Sequence, residues 1–115
     1  MFSITSSSIK KIDYLLDVPF TSFGGKEKYI SIEEKAAALF YHATKDHLFE
    51  NGNKRTAVIL TMIFLFINGK WLAMSPEEMY DLSLKIASSN SSDSAKSYNT
   101  ILAAFRDSII EYSRV

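Results

Sequence analysis

The sequence predicts an all-α fold: a compact helical bundle packed around a buried helix, with one short β-hairpin as a flap. Three observations predict it. Apolar residues recur at helical spacing through most of the chain, and helix starts are marked by the capping-box spacing of Ser31 and Glu34 and by Ser75-Pro76-Glu77-Glu78. Between residues 57 and 67 the sequence is apolar on nearly every side of a helix, the mark of a segment covered by neighbours all round. With 115 residues, the chain reads as one domain spanning 1–115.

Each element has a local cause. Ile9, Ile12, Leu15 and Leu16 follow the Ser6-Ser7-Ser8 cluster at helical spacing, and Pro19 biases Val18 away from the helical region, so the first helix should stop near Asp17. From Phe20 to Ile30 the helical period breaks, and Gly24-Gly25 supplies a turn; a short hairpin or extended loop is expected here, the only sizeable non-helical element. Ser31 and Glu34 open a second helix with Ala36, Leu39, Phe40 and Ala43 inward, ending near His47 because Asn51-Gly52-Asn53 favours a turn. A third helix, the expected centre of the bundle, runs from Lys54 to a stop at Asn68-Gly69. Ser75-Pro76-Glu77-Glu78 starts a fourth. The polar stretch Ser88 to Asp93 links it to a last helix with Tyr98, Leu102, Phe105, Ile109 and Tyr112 inward.

Composition removes several function classes. Hydrophobic residues make up 47% and charged residues 23%, as in ordinary globular proteins. Lys+Arg and Asp+Glu both count 13, so no net charge draws the chain to nucleic acid or a membrane surface. There is no cysteine, which removes thiol chemistry and fits a reducing cytoplasm. The first residues carry neither a basic leader nor an apolar signal core, and Ala57 to Ile67 is too short for a membrane span. A cytoplasmic location is expected.

The segment from His47 to Thr56, HLFENGNKRT, carries the chemistry. It reads as a helix end, a tight loop and a helix start. A helix N-terminus presents unpaired N–H groups and partial positive charge to an anion. Gly52 lets the backbone approach a ligand, and Lys54 and Arg55 add two cations at the same place. Basic residues in a first turn oppose the helix dipole, a conflict that a bound anion removes. His47, at the other lip, has a side chain suited to accepting a proton near neutral pH. Other motifs fail. A P-loop needs glycine at the places of Leu48 and Asn53, and His42 and His47 lie about 140° apart around a helix, which does not make a two-histidine zinc face.

These residues resemble the signature of the Fic/Doc (Fido) family: His-x-Phe-x-acidic-Gly/Ala-Asn-Gly/Lys-Arg. The similarity extends over roughly 20–72, through Phe23-Gly24-Gly25-Lys26-Glu27 and Ser31-Ile32-Glu33-Glu34-Lys35-Ala36-Ala37, and it implies a Fic-type bundle. By that resemblance His47 is the general base that deprotonates a Ser, Thr or Tyr hydroxyl of a target protein. Phe49 anchors the loop in the core. Gly52, Asn53 and Arg55, together with Lys54, hold the phosphates of ATP or another nucleoside triphosphate. The flap, Phe23, Gly24, Gly25, Lys26, Glu27, Lys28 and Tyr29, receives the target as an added strand.

Three departures bear on the reaction. Asn51 stands where the family has a carboxylate for Mg2+, and its amide oxygen binds a metal without charge; Glu50 is adjacent. Lys54 replaces the second glycine of AMP-transferring members and resembles the Doc (death-on-curing) toxin branch, which phosphorylates a translation elongation factor. Val58 replaces a second arginine that the Doc branch also lacks. The resemblance therefore implies phosphoryl transfer somewhat more than AMP transfer (AMPylation). The alternative is a Fic-fold module that has lost turnover and binds a partner or nucleotide. The family's inhibitory Ser/Thr-x-x-x-Glu-Gly/Asn motif is absent, so restraint is expected from a separate antitoxin-like chain.

Overall fold

The computed structural model describes residues 6–46, 48–49 and 52–111. Its order is α1 (Ser6–Asp17), a 3-10 turn (Val18–Phe20), β1 (Ser22–Phe23), β2 (Lys26–Glu27), α2 (Ile32–Lys45), α3 (Asn53–Ile67), β3 (Lys70–Leu72), α4 (Pro76–Ala87), a second 3-10 turn (Ser91–Asp93), α5 (Ser94–Ser108) and β4 (Ile109–Glu111). The helical bundle and its hairpin are as the sequence predicts.

The helix starts obey local chemistry. Ser31 accepts from the Glu34 amide and the Glu34 carboxylate accepts from the Ser31 amide; Ser75 and Glu78 do the same at α4. Both first turns carry two acidic residues against the positive end of the dipole. In the hairpin, Gly24 and Gly25 both have positive φ, 56° and 81°, as a tight two-residue turn between twisted strands requires.

The centre of the bundle is α2, not α3 as the sequence suggested. Ala36, Ala37, Ala38, Leu39 and Phe40 are all fully buried. The helix packs against α1, the first 3-10 turn, α3, α4 and α5. Three successive alanines allow this, since small side chains let neighbours close in on more than one face. Phe40 meets Phe105 of α5 edge-on at 5.5 Å between ring centres. By contrast α3 buries Ala57, Thr61, Phe64 and Leu65 but leaves Ile59, Ile63, Phe66 and Ile67 more than half exposed. Apolar character told of a helix that avoids water, not of one fully covered.

The C-terminal helix also departs from expectation. It ends at Ser108, and Ile109 begins β4 instead of extending the helical stripe; Tyr112 lies outside the described residues. β4 pairs antiparallel with β3, with Lys70 opposite Glu111, Trp71 opposite Ile110 and Leu72 opposite Ile109. This second two-stranded sheet was not expected from sequence. It joins segments about forty residues apart, closed by a Lys70–Glu111 ion pair of 2.7 Å.

Because Phe40 sits where α2 and α5 meet, Phe40→Ala should destabilise the fold by about 3–5 kcal/mol. Chemical denaturation measures this, and a loss below about 1 kcal/mol would contradict the central place given to α2.

Candidate functional site

The loop between α2 and α3 is pinned from two sides. Phe49 is buried in the main core, and the Lys11 ammonium of α1 lies 5.6 Å from its ring centre. Asn53, the first residue of α3, grips the Phe49 backbone twice. Its Oδ1 accepts from the Phe49 amide at 3.1 Å and its Nδ2 donates to the Phe49 carbonyl at 2.8 Å. The Asn53 side chain is thus a loop brace, so an anion at this turn would meet its backbone N–H.

Gly52 precedes α3 with φ 84° and ψ 9°, a left-handed conformation costly for a residue with Cβ. Its carbonyl starts the helix by accepting from the Thr56 amide. Among the described residues no side chain caps this N-terminus, and its first turn holds no acidic residue. Lys54 is half-buried and Arg55 exposed in that turn. The buried Thr56 hydroxyl beside them has no hydrogen-bond partner among the described residues. The start of α3 is therefore the chemical opposite of α2 and α4: uncapped amides with cations instead of carboxylates. That arrangement suits an anion with several oxygens.

His47, Glu50 and Asn51 lie outside the described residues, so the predicted base and metal ligand have no described geometry. What precedes them does. Asp46 is held from two helices: the Tyr14 hydroxyl donates to Oδ2 at 2.8 Å, and His42 Nδ1 is hydrogen-bonded to the same oxygen at 2.9 Å. These contacts tie the end of α2 to α1 just before His47. Burial and the Asp46 bond push the Tyr14 hydroxyl up to about 12. Burial similarly raises Tyr98 to about 12. Tyr98, Tyr29, Lys28, Tyr41, His42 and Asp46 line a cleft of about 620 Å3 between the end of the flap, α2 and α5.

The flap residues divide by environment. Phe23 is 68% exposed, whereas Tyr29 is buried against Val18, Ala38 and Tyr98. Two strands of two residues are marginal alone. The tie is Lys35 of α2, a residue missed in the functional reading of the sequence. It is 6% exposed; Nζ donates to the Pro19 carbonyl at 3.4 Å, to the Tyr29 carbonyl, and to Glu27 Oε1 at 2.8 Å. One ammonium thus holds both feet of the hairpin and its second strand. A lysine as the fourth residue of a helix, in its inner register, was the available signal.

Among the described residues no group of three or more His, Asp or Glu side chains is placed to hold a metal, and no helix is long and apolar enough to cross a membrane.

The sequence model of the Fic/DOC family matches residues 3–65. Over 70 residues the chain is 40% identical to a protein named Toxin Doc from Mycolicibacterium smegmatis, a match covering 56% of this chain and 54% of that one. The chain thus spans about half the length of that curated relative. No solved structure matches it.

In Lys35→Met, the Lys28 amide, which donates to the Thr21 carbonyl, should exchange with solvent about tenfold faster or more, while amides of α3 keep their protection. Hydrogen exchange read by NMR tests this; unchanged flap exchange would remove the tether. For Tyr14 and Tyr98 the folded pKa lies above the unfolded value of about 10, so folding favours the neutral phenol. Their contribution is complete below pH 10 and is lost as pH rises through about 12. Thermal melts should fall across that window, less steeply in Tyr14→Phe.

Proposed function

This chain belongs to the Fic/DOC family, and we propose that it transfers part of a nucleoside triphosphate, ATP in the first instance, to a Ser, Thr or Tyr hydroxyl of another protein. The observation that carries this reading is the start of α3: a left-handed Gly52, uncapped amides, and Lys54 and Arg55 in a turn free of acid among the described residues. A polyphosphate satisfies the amides and relieves the clash between the cations and the dipole. His47, six residues before Asn53, is the proposed base.

In the phosphoryl reading, the target oxygen attacks the γ phosphorus, the bond to the bridging oxygen breaks, and the nucleoside diphosphate leaves. The hydroxyl proton passes to the His47 imidazole. Arg55 and the first-turn amides hold the phosphate oxygens, and Lys54 supplies a point charge. In the AMP-transfer reading the same hydroxyl attacks the α phosphorus and pyrophosphate leaves. Lys54 and Val58 favour the first. The Asn51 amide oxygen and the Glu50 carboxylate would be the groups to hold Mg2+. It would neutralise phosphate charge.

The exposed hairpin edge beside Phe23 is the proposed docking place for an extended target segment. The toxin name of the matched relative supports a toxin-like role with an antitoxin chain as restraint. Absence of cysteine agrees with a cytoplasmic setting. One residue favours a second reading. With the uncharged Asn51 at the metal position, the chain would be a binding module without turnover. Titration of ATP with and without Mg2+ on wild type and Asn51→Asp separates the two: metal-dependent binding gained only in the variant supports the module.

The direct test incubates a cell lysate with ATP labelled at the α or the γ phosphate. Wild type should label a protein from the γ position only, and His47→Ala should lower labelling by roughly 100-fold or more. Label from the α position would mean AMP transfer. No labelling of any protein at either position would overturn the enzymatic reading.

A further inference from the structure

The second, outward face of α3 has no role in the chemistry proposed above. Ile59, Ile63, Phe66 and Ile67 follow one another at i, i+4, i+7 and i+8, the spacing of a single helical stripe. All four are exposed, between 51 and 73%. The inner stripe, Ala57, Thr61, Phe64 and Leu65, has the same spacing and is buried. The helix therefore carries two apolar faces, one buried and one more than half exposed.

The outward stripe continues onto the second sheet. The ring of Phe66 lies edge-on to Trp71 of β3, 6.4 Å between centres, and Trp71 is directly opposite Ile110 of β4. Trp71 and Ile110 are themselves 44 and 52% exposed. From Thr56 to Ile67 the helix contains no charged residue, so nothing on the stripe favours water. Six large side chains, each half exposed, offer on the order of 100 Å² apiece, or roughly 600 Å² together. That is at the upper limit of what monomers leave open, about 300–600 Å². It is close to the ~800 Å² that each partner contributes to a stable interface, before any polar rim is added.

We propose that this face is the interface of a homodimer, with α3 of one copy packed antiparallel on α3 of the other about a two-fold axis near Ile63. A two-fold contact uses the same patch twice, and an elongated apolar stripe is complementary to its own reversed copy. Near the axis each Ile63 faces its equivalent, while Ile59 meets the Phe66–Ile67 end of the partner stripe. The sheet residues Trp71 and Ile110 extend the contact at both ends. The proposal is independent of the transfer reaction, and no activity measurement enters its test.

Sedimentation equilibrium and light scattering across a concentration series should show wild type approaching twice the monomer mass. Ile63→Glu should remain monomeric throughout, with unchanged circular dichroism because the position is exposed in the single chain. The lack of cysteine allows a positional control. Ile63→Cys should cross-link to a dimer with a short bis-maleimide, and Ile30→Cys, more exposed and beyond the flap, should not. A wild type that stays monomeric at every concentration, or a dimer that persists in Ile63→Glu, overturns the proposal. So does a monomeric wild type whose stripe captures a different protein.

Discussion

The burial of α2 is the constraint on which the other elements depend. A helix enclosed on several sides must present small side chains where neighbours come closest, and Ala36, Ala37 and Ala38 do so in succession. Leu39 and Phe40 then fill the main core, Phe40 against Phe105 of α5. Close packing makes such a centre intolerant of volume change. It also fixes both ends of the helix in space. At the first end is the capping box that follows the flap; at the other is Asp46, which leads into the signature loop.

Two polar ties transmit that rigidity to the parts that would do chemistry. Lys35, four residues into the buried helix, reaches out to hold the hairpin by two carbonyls and a carboxylate. Tyr14 and His42 converge on one oxygen of Asp46. A buried ammonium is costly unless its hydrogens are all used, and here three acceptors surround it. The position of the flap relative to α2 is thereby a consequence of charge satisfaction as much as of packing. Asn53 completes the frame by bracing Phe49 from the far side of the loop.

Three of the helix starts show how one structural feature serves opposite ends. At α2 and α4 the amides are closed by serine and glutamate, and acidic residues complement the dipole. At α3 glycine replaces the cap and the first turn is basic. The first arrangement maximises helix stability. The second forgoes about 1 kcal/mol of capping and leaves the amides without a side-chain cap among the described residues. By that contrast with α2 and α4 the α3 terminus is a candidate site.

Much of this could be read from the sequence, because the signals act over three or four residues. Ser31 with Glu34, Ser75 with Glu78, Gly24-Gly25 and Asn68-Gly69 each determine a cap or a turn through neighbours along the chain. The signature HLFENGNKRT identified the family for the same reason: its spacing is local. Only the tertiary structure decided which helix lies at the centre. Hydropathy ranks α3 above α2, but enclosure depends on how closely neighbours approach, and alanine permits that better than isoleucine. Tertiary structure also decided that Lys35 points inward, that Asn53 braces the loop, and that Lys70 pairs with Glu111 across some forty residues. Pairings at that range are chosen by the packing of whole elements, and no short stretch of sequence contains them.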